Sequence, residues 1–432
     1  MTLEQEILSP EDKDPVIKLI IFIDGIMPVT PATLSFKLMN QWADKTKQVY
    51  AFITGYDASH NNDLCLLTSD GVTAYYPPPS ASYNHTIIAS PDLAIPLGGV
   101  GVAKTVTIPK LFSARIYFSI GNKLTFYLNK KSDTDNGAAL VEPSVTNPTA
   151  DPSTPGNYNI PWGFCELTYN DTELFCNISY VDFIGLPIAL DLTTVSGPSQ
   201  HVKGIKSNGL DTIASALKSQ ATSEHQPWNE LVIPDSSGKT LRILSANEAR
   251  DLKPTLNLFS GYFEPYVQSV FQRFTPSYPL CIDTQNATYG LVSGTVDPVS
   301  GNMIFNVPSL PGGTWSFAPP TTANIFNCSN GPFDPHNDEK GNLSARLAAA
   351  FNRTTMLDSN SQPDGPGQEG YYAKNPTNHY SRVLHEANLD GLGYAFPYDD
   401  VQPTNGRFLA GKVEAADPLE FVVTVGGAQW GA

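Results

Sequence analysis

Two carboxylic acids, Glu166 and Asp182, lie in neighbouring segments and form a candidate pair for acid–base catalysis. Glu166 lies in WGFCELTYN (162–170), where alternation places Glu166, Thr168 and Asn170 on one face of a strand and Cys165, Leu167 and Tyr169 on the other. Asp182 lies in the apolar run SYVDFIGLPIAL (179–190), where burial would disfavour its charged form. Hydrolysis of a glycosidic bond requires two such groups, one to donate a proton and one to activate water or attack carbon.

The sixteen-residue spacing of these acids is too long for them to meet across a plain hairpin. A plain hairpin turning at residues 170–171 would place Glu166 opposite Phe175 and leave Asp182 far along the strand. A catalytic pair therefore requires a bend, bulge or change of strand before Asp182. The pattern alone leaves another interpretation open, in which Glu166 is a solvated strand residue and Asp182 caps a turn.

The surrounding elements predict a mainly β protein with an α/β part. Runs such as VIKLIIFI (16–23), ARIYFSI (114–120) and KLTFYLN (123–129) are rich in β-branched and aromatic residues and are separated by turn residues. The Pro- and Asn-rich stretch 141–161 is typical of a loop. β texture returns after Tyr371 and ends in LEFVVTVGG (419–427), a strand that we expect to complete a sheet begun much earlier.

Helical patterns lie between these β segments. We expect helices beginning near Asp211, at Ser245, over residues 258–274 and over residues 342–356, and Ser245 with Glu248 has the spacing of a capping box. The sequence thus predicts a β-sandwich or barrel domain of residues 15–195 and 375–432, with a mixed α/β domain of residues 196–374 inserted.

The charge balance limits the partners. Acidic residues outnumber basic ones by 42 to 26, for a net charge of −16, which disfavours nucleic acid and anionic membranes. The apolar run 16–23 is too short to span a membrane, and the histidines and cysteines have no metal-binding spacing. We expect a neutral partner such as carbohydrate, and neither a metal nor another cofactor.

Cysteines and glycosylation sequons bear on location. Five cysteines allow at most two bridges, and the two candidate pairs are Cys165 with Cys176, which flank the hairpin turn, and Cys281 with Cys328. The N-terminus lacks the pattern of a signal peptide. N-glycosylation sequons, which are compatible with an extracellular location, begin at Asn84, Asn170, Asn177, Asn286, Asn327, Asn342 and Asn352.

Five stretches resemble glycoside hydrolase family 64, the laminaripentaose-producing β-1,3-glucanases with a thaumatin-like β domain. They are RIYFSIGNKLTFYLN (115–129), VEPSVTNP (141–148), WGFCELTYN, NISYVDFIGLPIAL (177–190) and NHYSRVLHEANLDGLGYAFPYDDV (378–401). The resemblance implies an endo-acting, inverting fungal enzyme with Glu166 as general acid and Asp182 as general base. It also implies a wide groove between the two domains, a monomer, and an extracellular or cell-wall location.

The resemblance further implies a set of substrate-binding residues. Thr168 and Asn170 would line the groove beside the acid, and Phe175 would stand where bacterial members are expected to carry a Trp sugar platform. The remaining candidates for sugar contact are Trp162, Tyr169, Ser179, Tyr180, Tyr372, Asp399 and Asp400.

Several alternatives remain open at this point. The adjacent His385 and Glu386 would either do acid–base work or belong to a hydrogen-bonded network that fixes the C-terminal motif. The whole chain could instead be a non-catalytic β-glucan-binding protein of the defence type, which would bind insoluble glucan without forming products. It could also be a structural wall protein, which would show neither saturable binding nor turnover.

Overall fold

Strands dominate both ends of the part of the chain that the computed structural model describes, residues 30–146, 156–334, 336 and 338–427. The predicted strand at 16–23 lies outside these residues. The strands, in chain order, are β1 (Thr33–Asn40), β2 (Val49–Asp57), β3 (Asp63–Leu67), β4 (Ala74–Tyr75), β5 (Thr86–Ile87), β6 (Ile95–Pro96), β7 (Ala103–Pro109), β8 (Leu111–Ile120), β9 (Tyr127–Lys130), β10 (Ala138–Val141), β11 (Trp162–Tyr169), β12 (Leu174–Ile178), β13 (Phe183–Ile184), β14 (Ile188–Thr194), β15 (Gln200–Val202), β16 (Val232–Pro234), β17 (Thr240–Leu244), β18 (Leu280–Asp283), β19 (Leu291–Val296), β20 (Met303–Asn306), β21 (Thr314–Phe317), β22 (Ser361–Gln362), β23 (Lys412–Ala415) and β24 (Pro418–Val425).

The helices lie between β15 and β23. They are α1 (Gly209–Glu224), α2 (Ala246–Leu252), α3 (Glu264–Arg273), α4 (Thr322–Asn327), α5 (Glu339–Arg353) and α6 (His379–Ala387). Short 3-10 turns occur at Trp228–Leu231, Pro254–Leu256, Gly331–Phe333 and Gln368–Gly370.

Two large sheets hold the strands from both ends of the chain. The eight-stranded sheet has the order β23-β12-β11-β8-β2-β3-β4, with β6 pairing to β2. The five-stranded sheet has the order β15-β14-β24-β1-β7, and its β24 runs parallel to β1 and antiparallel to β14. This pairing confirms that the C-terminal strand completes a sheet begun much earlier. Within the described residues none of the sheets closes into a barrel, so that part of the prediction is wrong.

Three smaller sheets complete the β structure. One joins β10, β9 and β5, another joins β13, β17 and β16, and a third has the order β21-β20-β19-β18-β22. A continuous hydrophobic cluster contains residues of the two large sheets and of the helical region. β14 of the five-stranded sheet lies against β11 and β12 of the eight-stranded sheet, so the strands with the candidate acids rest on a packed support.

Local sequence explains where the helices begin. Ser245 caps α2 by accepting a hydrogen bond from the backbone N–H of Glu248 at 3.3 Å, and the Asp338 carboxylate caps α5 by accepting from Lys340 and Gly341. The helix expected over 258–274 begins only at Glu264, because Pro265 fixes the first turn and Phe259 has a left-handed φ of 60°.

The C-terminal motif contains a helix where the sequence predicted β texture. α6 begins after Asn378, whose side chain accepts a hydrogen bond from the Ser381 N–H, and it buries Tyr380, Val383 and Leu384. The i, i+3, i+4 spacing of those three side chains is the helical signal that the strand interpretation missed.

The division into domains at residues 196 and 374 stays a prediction. Backbone pairs cross both borders, since Phe183 pairs with Leu244 and Ile205 with Asn388. All five cysteines lie within the described residues and are free, so neither candidate bridge is present. Cys165 faces Ile178 across the hairpin and Cys176 faces Leu167, so the first candidate pair is out of register.

Candidate active site

Glu166 lies in a row of polar side chains that crosses the eight-stranded sheet. It pairs with Arg115 of β8 on one side and Asn177 of β12 on the other, and Asn177 pairs with Lys412 of β23. Arg115 Nη2 lies 3.4 Å from Glu166 Oε1, and Asn177 Nδ2 lies 3.4 Å from Glu166 Oε2. Each carboxylate oxygen thus has one donor. The side chain remains 34% exposed, which leaves room for a ligand.

The predicted alternation along β11 is confirmed by burial. Cys165, Leu167 and Tyr169 are fully buried on the core side, whereas Glu166 and Thr168 are half-buried on the opposite face. Phe164 continues the face of Glu166 but is covered by Phe183, whose ring centroid lies 6.0 Å from its own. The open part of this face therefore begins at Glu166 and extends toward the hairpin turn.

A cleft of about 380 Å³ opens over this face. It is lined by Tyr56, Ser113, Ala114, Arg115, Glu142, Glu166, Leu167, Thr168, Phe175 and Asn177. The lining combines carboxylates, neutral hydrogen-bonding groups and aromatic rings, the set that recognises a polyhydroxylated ligand with apolar ring faces.

The hairpin register differs from the one expected. Glu166 pairs with Asn177, and it is Thr168 that pairs with Phe175. The reason is a four-residue turn, in which the Asn170 side-chain oxygen accepts from the backbone N–H groups of Thr172 and Glu173, both at 2.9 Å. Asn170 thus closes the turn at the end of the strand.

The bend required before Asp182 is present. β12 ends at Ile178, the chain bends at residues 181–182, and β13 then pairs with β17 outside the large sheet. The Asp182 carbonyl oxygen accepts from the Ser245 N–H at 2.8 Å, which ties the bend to the start of α2. The chain then passes so close to β11 that a Cβ on Gly185 would lie 1.9 Å from the Trp162 carbonyl oxygen, so only glycine fits there.

Asp182 and Glu166 share one electrostatic environment. Burial raises the pKa of Asp182, the Arg115 cation lowers it, and the charges of Glu166 and Glu142 raise it further. Among the residues that the structure describes, the Asp182 carboxylate accepts no hydrogen bond. A half-buried carboxylate with a raised pKa and free oxygens is suited to taking a proton from water.

Glu142 was not predicted from the sequence to be a site residue. It lies in the loop that follows β10. Arg115 Nη1 lies 3.2 Å from Glu142 Oε2, and the Tyr117 hydroxyl donates to the same carboxylate. Arg115 and Tyr117 are two positions apart on β8 and therefore lie on the same face of the strand. This spacing was the sequence signal that could have indicated a polar cluster on that face.

Glu248 was interpreted only as part of a capping box, but half of that box is missing. The Ser245 N–H, which a capping-box Glu would bind, donates to Asp182 instead. Burial together with the charges of Asp182 and Asp251 raises the pKa of Glu248 to about 7.

Only some of the predicted sugar-contacting residues reach the cleft. Thr168 and Phe175 line it, and the Lys412 Nζ atom lies 5.6 Å from the centroid of the Phe175 ring. Ser179, Trp162, Tyr169, Tyr180 and Tyr372 are buried instead. The Tyr169 hydroxyl donates to the Pro31 carbonyl at 2.7 Å, and the Trp162 ring packs on Phe183 at 4.5 Å. Their burial gives these side chains packing roles in place of the sugar contacts expected of them.

Asp399 and Asp400 have different surroundings. The Asp399 side chain has no exposed surface and binds Arg353 at 2.9 Å and His385 at 3.0 Å, so it belongs to a structural network. Glu386 pairs with Arg382, which favours the network interpretation of the C-terminal motif over acid–base work. Asp400 is exposed and lies 3.4 Å from the Tyr394 hydroxyl.

Comparison with known proteins supports the resemblance over nearly the whole chain. The family model for beta-1,3-glucanases of glycoside hydrolase family 64 matches residues 32–425. Two glucan endo-1,3-beta-glucosidases, from Arthrobacter sp. (strain YCWD3) and Cellulosimicrobium cellulans, are each 28% identical over 325 residues, or 74% of the chain. The chain spans 55% of the length of each of these relatives.

Solved structures of similar proteins have the same mostly β architecture with some helices. A laminaripentaose-producing beta-1,3-glucanase in complex with laminaritetraose has a TM-score of 0.76 and 27% identity, covering 91% of this chain and 99% of its own. A beta-1,3-glucanase domain from Clostridium beijerinckii has a TM-score of 0.69 and covers 92% and 99%. At 21% identity, the second similarity concerns the fold alone.

Proposed function

Because the chain belongs to glycoside hydrolase family 64, we propose that it hydrolyses β-1,3-glucan, in the interior of the polymer and with inversion at the anomeric carbon. The single observation that carries the proposal is that Glu166 lines the cleft on β11, while Asp182, in the bend before β13, lies within range of the charges of Glu166 and of its partner Arg115. The names of the relatives support it, since both curated ones are glucan endo-1,3-beta-glucosidases and one solved structure holds laminaritetraose.

Glu166 is the general acid in this proposal. Its proton passes to the glycosidic oxygen as the bond between that oxygen and the anomeric carbon breaks. Asp182 takes a proton from the water that attacks the same carbon from the opposite face, and the new hydroxyl group has the inverted configuration. Before the next cycle Glu166 regains a proton from solvent, and Asp182 releases to solvent the proton that it took from water. This mechanism requires the two carboxyl groups to be roughly 6.5–9.5 Å apart, with room for one water molecule.

The polar row supports a role in substrate binding as well. Asn177 and Arg115 hold the Glu166 carboxylate from both sides, and Thr168 and Phe175 extend the lining by one further cross-strand pair. A glucosyl ring placed over Phe175 would contact an apolar surface, with hydrogen-bonding groups at its edge. β-1,3-Glucan is neutral, which agrees with a chain of net charge −16.

Several finer properties remain part of the proposal. They are a fungal source, a thaumatin-like β region, a wide groove between two domains, a monomeric state and an extracellular or cell-wall location. Within the described ranges, every helix is too short or too polar to span a lipid bilayer.

Product analysis on laminarin tests the proposal. Wild-type protein is expected to release oligosaccharides, and NMR of the first-formed product is expected to show the α-anomer. Glu166→Gln and Asp182→Asn should each lower kcat by at least about 100-fold, with unfolding temperatures close to wild type. Glu420→Gln, which changes an exposed acid in the five-stranded sheet, serves as the control.

Two results would overturn the assignment. Near-wild-type turnover by either variant would exclude that residue from catalysis. Saturable binding of insoluble β-1,3-glucan by wild-type protein without product formation would show that the protein is a non-catalytic glucan-binding module.

A further inference from the structure

A β-bulge interrupts β8 beside the cleft. Between Arg115 and Phe112 of β8, the partner strand β2 advances only from Thr54 to Tyr56. β11 has the same irregularity, since Leu167 pairs with Ala114 and Tyr169 with Leu111. Both neighbours thus advance by two residues where β8 advances by three, so β8 has one extra residue within this stretch.

The bulge changes which side chains face the cleft. Leu111 and Ala114 are both buried on the core side, although regular alternation would put them on opposite faces. Phe112, which stacks on Tyr56 with 5.8 Å between ring centroids, is half-buried, and Ser113 is exposed. Two consecutive residues are therefore free to face the cleft side of the sheet, and Ser113 is part of the cleft lining.

Ser113 has a backbone conformation that L-residues rarely adopt. Its φ is 46°, in the left-handed region, where glycine or asparagine would be under less strain. The bulge is also closely packed from the neighbouring strand, because a Cβ on Gly55 would lie 2.7 Å from the Ala114 Cβ. Bulges are over-represented next to active sites, where they redirect a side chain.

We propose that Ser113 is a substrate-binding residue, whose hydroxyl binds a sugar hydroxyl of the glucosyl unit lying over Thr168 and Arg115. This inference rests on the proposed glucanase function and adds a residue to its site. Within the described part of the chain the Ser113 hydroxyl has no hydrogen-bond partner, and Arg115, two positions further along β8, binds Glu166 directly. A ligand bound near Glu166 would therefore meet this hydroxyl.

The test compares Ser113→Ala and Ser113→Gly with wild type, using laminarihexaose as substrate and as ligand. Both variants lack the hydroxyl, so both should raise KM roughly 3- to 10-fold, the usual effect of losing one neutral hydrogen bond, with little change in kcat. Ser113→Gly should also raise the unfolding temperature above that of Ser113→Ala, because glycine relieves the left-handed strain. His225→Gly, at an exposed left-handed position that ends α1, is the matched control for strain relief and should leave KM unchanged.

The outcomes separate this inference from the function on which it rests. If wild-type protein hydrolyses laminarihexaose and both Ser113 variants keep its KM, the role of Ser113 is overturned and the glucanase proposal stands. A KM change in Ser113→Ala that is absent from Ser113→Gly would indicate backbone distortion and would also overturn it. If calorimetry and product analysis show neither binding nor turnover of laminarihexaose by wild type, both proposals fall.

Discussion

Arg115 lies directly opposite Glu166 in the eight-stranded sheet, and its Nη2 atom is 3.4 Å from Glu166 Oε1. Its Nη1 atom is 3.2 Å from Glu142 Oε2, so one guanidinium bridges two carboxylates. The same cation lowers the pKa of Asp182, against the effect of burial. Arg115 therefore influences Glu142 and Glu166, which line the cleft, and Asp182, which lies in the bend before β13.

Replacing Arg115 with Met should shift the pH dependence of the enzyme. The pKa of Asp182 is already raised by burial, and loss of the Arg115 cation would raise it further. A general base works in its ionised form, so the acidic limb of the kcat/KM profile should move to higher pH. The kcat/KM at pH 5 should fall by about 10-fold or more.

Arg115→Lys is the control, because it keeps the positive charge but loses the two-sided geometry. Its acidic limb should stay close to that of wild type. A laminarin profile in Arg115→Met with an unmoved acidic limb would contradict the assignment of Asp182 as the base that Arg115 influences.

Replacing Glu248 with Gln should stabilise the protein at alkaline pH. Burial and the charges of Asp182 and Asp251 raise the pKa of Glu248 from 4.5 to about 7. Between these two values the unfolded chain loses the proton that the folded chain keeps, so the free energy of unfolding decreases as pH rises. Gln stays neutral at every pH, so the free energy of unfolding of the variant does not decrease in this way. At pH 8 the variant should be more stable than wild type by about 1 kcal/mol, a figure reduced for partial exposure, with no gain at pH 4.

Urea unfolding at pH 4, 6 and 8 measures this difference. Glu386→Gln is the matched control, because Glu386 is an exposed helical glutamate whose partner Arg382 lies one turn away. An identical pH dependence for wild type and Glu248→Gln would show that Glu248 is not the group responsible.

Breaking the pair of Asp399 and Arg353 should cost far more than breaking a surface pair. Both side chains are almost fully buried, and Asp399→Asn leaves the Arg353 charge without its counter-ion. We expect a loss of about 3 kcal/mol in the free energy of unfolding at pH 7. Burial raises the pKa of Asp399, but His385 and Arg353 together with a backbone hydrogen bond lower it by more, so its net pKa is lowered. The stabilising effect of Asp399 is therefore present above pH 3.8 and is lost as pH falls through the lowered value.

The exposed pair of Lys37 and Glu420 provides the comparison. Its side chains are 47% and 51% exposed, so Glu420→Gln should cost less than about 1 kcal/mol. Equal losses for Asp399→Asn and Glu420→Gln in urea unfolding would show that Asp399 has no special structural role.

The sequence predicted local features better than long-range ones. Alternation in WGFCELTYN was enough to place Glu166 and Thr168 on one face, because side-chain period is a property of the strand itself. The hairpin register depended on the four-residue turn that Asn170 closes, and no periodicity encodes that turn length. The alternation that places Thr168 on the open face already indicated that Tyr169 is buried. Tyr169 was nevertheless predicted to contact sugar because its side chain is aromatic.

The polar neighbours of Glu166 and Asp182 could not be predicted from the sequence, for a different reason. Arg115 meets Glu166 only because β8 and β11 pair antiparallel, and Glu142 joins them from the loop after β10. The charge of Asp182 acts on Glu248, and the Ser245 N–H that a capping-box Glu would bind donates to the Asp182 carbonyl. Contacts between segments so distant in the chain are set by sheet topology, which local patterns do not specify.

Phe175 is the residue through which the binding strength of the cleft can be tested. It is half-buried, faces Thr168 across the hairpin, and has the Lys412 Nζ atom 5.6 Å from its ring centroid. Phe175→Ala would remove the aromatic surface and should raise KM for laminarihexaose about 5- to 20-fold, whereas Phe175→Trp should keep KM at or below the wild-type value. Steady-state kinetics on laminarihexaose, with calorimetric titration in the Glu166→Gln background, would separate binding from turnover. If Phe175→Ala binds the hexasaccharide as tightly as wild type does, the ring is part of the cleft wall but not of a sugar-binding subsite.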